Sequence, residues 1–144
     1  MLIAVNNDNF KNTYLKTDFY LLLKKIWLVK MINLSKLNIL KIEQKAIHEA
    51  VNVLLNKFPI AMIFLYGSKA RGDDDEYSDI DLMLIMNSTF ETKVEKSIVE
   101  NLFEIGLKYN VMFSSVRTSL QEWNGIFKTF PIYKEIMKDG VRII

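Results

Sequence analysis

The chain has no cysteine, so it can form no disulfide, no thiolate zinc site and no cysteine nucleophile. It has one histidine, His48, in 144 residues. That excludes a multi-histidine metal centre and argues against a Ser-His-Asp hydrolase. Proline and glycine are scarce, with two and five residues, which excludes collagen-like and low-complexity architectures. The most apolar stretch, residues 19–29, is broken by Lys24 and Lys25 and is far short of the ~20 residues a membrane helix needs. The first ten residues lack the basic start and apolar run of a signal peptide. These absences point to a cytoplasmic protein with no membrane partner.

Neither sign of charge dominates. The net charge is +2, with residues 1–30 holding five Lys and two acids. The remainder is therefore close to neutral, and no basic face argues for nucleic acid. Half of the residues are apolar and a quarter are charged, the composition of one soluble globular domain.

The composition shifts near residue 30, and no internal repeat is visible. Residues 1–30 read as an N-terminal extension, with a polar, Asn-rich opening and then an amphipathic stretch from Phe19 to Val29. That stretch packs on the domain, forms a poorly ordered arm, or binds a partner or a membrane surface. A third reading takes Met31 as the start and the first thirty residues as an upstream extension of the reading frame.

Apolar residues from Leu37 to Phe58 recur at three and four, which predicts an amphipathic helix with His48 on its polar side. Ile60–Tyr66 and Ile80–Met86 predict buried strands, bounded by Pro59, by Gly67-Ser68 and by Ser78-Asp79. Residues 89–108 predict a second helix, and residues 109–116 a third strand. Thr118 or Ser119 caps the next helix, with Gln121 or Glu122 at capping-box spacing. Pro131 opens a last short helix that ends at Gly140. Met83, Met86 and Met112 read as core filler, and Trp123 as a packing residue. Helices alternating with strands predict an α/β (α+β) domain over residues 31–144, a small mixed sheet flanked by helices.

The chemistry concentrates between Phe64 and Leu82. A buried strand runs into Gly67-Ser68, where glycine permits close approach of a ligand and Ser68 is placed to cap a short helix through Arg71. Free N–H groups at such a start favour an anion, and phosphate is the natural occupant. Lys69 and Arg71 add positive charge. Ten residues later, Asp79 and Asp81 stand two apart at the start of a strand. Alternation places both carboxylates on one face, about 7 Å apart at ~3.3 Å per residue. Two such carboxylates need a partner, and hard oxygen ligands select magnesium or manganese. The acids Asp73 to Glu76 read as a solvated loop.

The strings Gly67-Ser68-Lys69-Ala70-Arg71-Gly72 and Ser78-Asp79-Ile80-Asp81-Leu82 resemble the signature of the DNA polymerase β-like nucleotidyltransferase superfamily. More closely, they resemble the small bacterial minimal nucleotidyltransferases. The resemblance extends over residues 35–144. It implies a magnesium-dependent nucleotidyltransferase that moves a nucleoside monophosphate, AMP from ATP, to a protein or other hydroxyl acceptor. It also implies that Gly67, Ser68, Lys69 and Arg71 bind the nucleotide. Asp79 and Asp81 would be catalytic and would ligate two magnesium ions when nucleotide is bound. Many members work as the antitoxin of a toxin–antitoxin pair with a HEPN-domain protein. The family's third carboxylate has no counterpart on the third strand, where Ser114 is the nearest polar residue. The alternative is therefore a catalytically weak or inactive module of the same fold that binds a partner protein. Homo-oligomerisation is left open.

Overall fold

A computed structural model describes residue 34 and residues 36–144 of the chain. The extension over residues 1–30 lies outside the described residues.

Helix α1 spans Lys41–Lys57, starting four residues later than the periodicity suggested. Glu43 sets that start, because its carboxylate accepts the Leu40 backbone N–H at 3.1 Å and satisfies a donor that has no intrahelical partner. Pro59 separates α1 from strand β1, Ile60–Tyr66. The five-residue helix α2, Gly67–Arg71, follows directly. After a loop come β2, Ile80–Met86, and α3, Thr92–Tyr109.

Asn110 closes α3 in the left-handed conformation, at φ 53 and ψ 48. The Val111 N–H turns back to the Gly106 carbonyl at 3.0 Å. This αL stop displaces the third strand from the expected 109–116 to Phe113–Ser119, β3. Met112 accordingly falls in the connection and is 67% exposed, not core filler. Met83 and Met86 are buried as expected.

Ser119 caps α4, Leu120–Asn124, through the expected box. A 3-10 turn, Ile126–Thr129, leads to α5, Pro131–Asp139, with proline in its first turn. The two-residue strand β4, Val141–Arg142, ends the fold.

The sheet order is β3-β2-β1-β4. β1 runs antiparallel to β2 and β4, and β2 runs parallel to β3. Alternation divides the strands between two cores. Ile63, Leu65, Ile80, Leu82, Leu84 and Met86 face α1 and α3, meeting Ile47, Val51, Leu54, Ile98 and Leu102. Tyr66, Met83 and Ile85 face the opposite side, against Trp123, Phe127 and Ile136. Trp123 centres this second core, its ring 5.7 Å from that of Phe64 and 4.7 Å from that of Tyr133. His48 is exposed on α1, as its position implied. No helix among the described residues is long and apolar enough to cross a membrane.

Candidate active site

The β1–β2 register sets Tyr66 opposite Asp81. The next residue, Gly67, therefore arrives against the Asp81 carboxylate. Its φ is +73°, and a Cβ placed there would collide with Asp81 Oδ2. Glycine is thus required twice over, by the left-handed backbone and by the neighbouring acid. Helix α2 begins at Gly67 itself, and Ser68 lies inside its first turn with no side-chain cap present. Ser68 is therefore not the cap that its position after the strand suggested. Its carbonyl instead receives the N–H groups of Gly72 and Asp73 at 2.8 and 3.2 Å, which closes the helix into the loop.

Asp73, Asp75 and Glu76 are exposed, as a solvated loop implies, and Asp74 alone is partly buried. The ammonium of Lys69 is held at 2.7 Å from both Glu43 and Asp74, with its side chain only 2% exposed. Burial alone would lower its pKa, but its hydrogen bonds to the Asp74 and Glu43 carboxylates, with their charges, outweigh burial and raise it. Lys69 pins α2 beneath the first turn of α1, and both neighbouring carboxylates take up its charge. Asp75 accepts from the Tyr77 N–H at 3.0 Å and from the Ser78 hydroxyl at 2.9 Å. This turn delivers the chain to Asp79 and β2.

Arg71 leaves α2 toward the other side. Its Nε donates to Asp73 at 3.1 Å and its Nη1 donates to Glu135 of α5 at 3.0 Å. Asp81 itself is half-buried, and its pKa is raised by burial first and then by the Asp79 carboxylate. A hydrogen bond from Ser114 opposes that shift, the charge of Glu135 adds to it, and Arg71 opposes it weakly. Burial, Asp81 and Glu135 together push the Tyr66 hydroxyl up to about 12.

The parallel register sets Ser114 directly beside Asp81, so both side chains leave the same face of the sheet. Asp79 lies one residue before β2, not within it. It lines one end of a groove of about 880 Å³ between α3 and the open edge of β3, a groove that includes neither Gly67, Ser68 nor Asp81.

Two oxygen-only ligands, one of them half-buried against the other's charge, fit a hard divalent cation. No group of three or more His, Cys, Asp or Glu side chains comes together among the described residues. A cation here would therefore need oxygens from its ligand or from water.

A sequence model described as polymerase beta, nucleotidyltransferase, matches residues 48–144. The chain belongs to this nucleotidyltransferase family.

Two proteins of Methanocaldococcus jannaschii, both named as candidate protein adenylyltransferases, are similar to it. One is 31% identical over 100 residues, covering 68% of this chain and 94% of that protein. The other is 33% identical over 54 residues, covering 38% and 54%. A solved structure described as a toxin–antitoxin with AMP-PNP matches with a TM-score of 0.51 at 13% identity, covering 67% of this chain and 71% of that one. That likeness is one of fold, and it agrees with the family's mixed sheet flanked by helices.

The structure thus brings Gly67, Asp81 and Arg71 to one side of the sheet with Ser114, and turns Lys69 into the body of the protein. Sequence reasoning missed Tyr66 and Glu135. The antiparallel pairing of β1 with β2 could have indicated Tyr66. Glu135 lies 54 residues beyond Asp81, and no spacing in the sequence links the two.

Proposed function

We propose that the chain transfers AMP from ATP to a hydroxyl of a protein acceptor. The observation that carries this reading is the meeting of Gly67 with the half-buried Asp81 carboxylate beside Asp79, in a chain of the nucleotidyltransferase family. The names of the two archaeal relatives favour adenylyl transfer and a protein acceptor. The fold likeness to a toxin–antitoxin holding a nucleotide analogue favours ATP as the donor and a toxin as the partner. The partner class in this reading is a HEPN-domain protein.

Asp79 and Asp81 would hold magnesium, which supplies positive charge to the phosphates when bound. The backbone at Gly67 and Ser68 approaches the triphosphate closely, since no side chain intervenes at Gly67. Arg71 is the cation that reaches the phosphates, because Lys69 is fixed between two carboxylates. The acceptor hydroxyl attacks the α-phosphorus, the bond to the bridging oxygen breaks, and pyrophosphate leaves. Ser114, beside Asp81 in the strand register, supplies no negative charge of its own. Binding without turnover is the second reading, and the serine at that position is the observation that favours it.

The test is incubation of the purified chain with ATP labelled at the α-phosphate and with magnesium, alone and with the product of the adjacent gene. Label on protein that disappears in Asp81→Asn supports transfer. ATP binding without label supports the second reading. Absence of both overturns the assignment of this site.

A further inference from the structure

The guanidinium of Arg71 is already occupied in the free protein. Asp73, which takes its Nε, is two residues away on the same turn and moves with it. Glu135, which takes its Nη1 at 3.0 Å, belongs to α5, a separate element packed against α2. Both side chains of the pair are accessible, at 35% and 46%. An Arg71 that reaches a triphosphate must therefore give up Glu135, while Asp73 follows along. The carboxylate so released stays on α5, whose next residue, Ile136, packs with Tyr66 in the second core, and Tyr66 pairs with Asp81 across the strands; its charge bears on both. It then adds a negative charge near Asp81 and opposes an incoming triphosphate, unless a cation arrives with it.

We propose that Glu135 is a positioning residue that competes with the nucleotide's phosphates for Arg71, and that its release makes nucleotide binding depend on a divalent cation. This inference rests on the reading above, in which Arg71 meets the phosphates. In the free protein, the Glu135 pair holds Arg71 against α5. In the bound protein, the freed carboxylate adds its charge to that of Asp81. A bare triphosphate is disfavoured there, and a triphosphate carrying magnesium is accepted.

The experiment measures ATP binding to the full chain by calorimetry, in chelator and in magnesium. It compares the wild type, Glu135→Gln, Arg71→Gln and the double variant. Glu135→Gln should tighten metal-free ATP binding by about two- to fivefold, the scale of an accessible ion pair, and should narrow the advantage that magnesium gives. A residue that only supported the fold would weaken binding when changed. In the Arg71→Gln background the gain should shrink, because the competition is gone and only the repulsion by the unpaired Glu135 carboxylate remains. Glu135→Ala should repeat the sign and guards against a defect specific to glutamine.

Unchanged or weaker metal-free binding in both Glu135 variants overturns the inference. So does a gain that persists undiminished without Arg71, since that reads bulk charge alone. A wild type that binds no ATP in either buffer overturns the reading of the site, and this inference with it.

Discussion

Gly67 and Gly72 flank helix α2 and share nearly the same backbone, at φ +73° and +77°. Their surroundings differ. A Cβ at Gly72 meets nothing within 4 Å, whereas one at Gly67 runs into the Asp81 carboxylate. Gly72→Ala therefore reads the left-handed backbone alone, about 1–2 kcal/mol. Gly67→Ala carries that cost and also forces Asp81 from its rotamer, which adds about 0.5–1.5 kcal/mol. Asp81 is short and its strand is fixed between β1 and β3, so rotation is its only escape. The expected totals are about 1–2 kcal/mol for Gly72→Ala and about 1.5–3.5 kcal/mol for Gly67→Ala.

Urea denaturation of both variants measures the difference as a shift in midpoint at constant slope. Calorimetry with ATP and magnesium provides the functional readout. Gly72→Ala should bind nearly as the wild type, while Gly67→Ala should bind poorly, because its acid has been pushed aside. In an Asp81→Ala background, the stability cost of Gly67→Ala should fall to that of Gly72→Ala. Equal costs for the two glycines in the native background, or a Gly67 cost unchanged by removing Asp81, would refute the argument from close approach.

Four further outcomes are expected. Lys69→Met leaves Glu43 and Asp74 without their cation and should cost about 3–5 kcal/mol; thermal denaturation should show part of this recovered when Glu43→Gln is added. Ser119→Ala removes the α4 cap and should cost about 0.5–2 kcal/mol. The Ser119 backbone, the Ser119 hydroxyl and Thr118 hold the Glu122 carboxyl below its usual range, so its contribution is present above an ordinary carboxylate pKa of about 4.3. That contribution is lost as pH falls through the lowered value, and the stability gap between wild type and Glu122→Gln should close there. Ser114→Asp places an acid beside Asp81 on the same face. It should lower stability in chelator, regain it with magnesium and raise single-turnover transfer; a rate no higher than wild type counts against a missing acid as the limit.

Much of the fold follows from local pattern alone. Ile60–Tyr66 is a continuous apolar run and Ile80–Met86 is apolar apart from Asp81; both are too short for buried helices and bounded by breakers, so they form strands. The Ser119–Glu122 box and Pro131 mark helix starts through bonds that span only a few residues. Gly67-Ser68 and Asp79-x-Asp81 are likewise legible, since their residue types and spacing persist without the fold. The boundary at Asn110 was less legible, because an αL stop depends on a backbone angle that several residue types can adopt.

Charge partners were not legible. The fate of Lys69 rests on Glu43, 26 residues earlier, and that of Arg71 on Glu135, 64 residues later. Each lies on an element whose docking no local pattern encodes. The adjacent lysine and arginine of one short helix look equivalent in the sequence. The helical turn sends one inward to a buried pair and the other outward to Asp73 and Glu135. Ser114 could be named from the sequence as the residue standing where an acid was expected. Only the parallel register of β3 with β2 sets it beside Asp81, because a slip of one residue would have turned it to the opposite core.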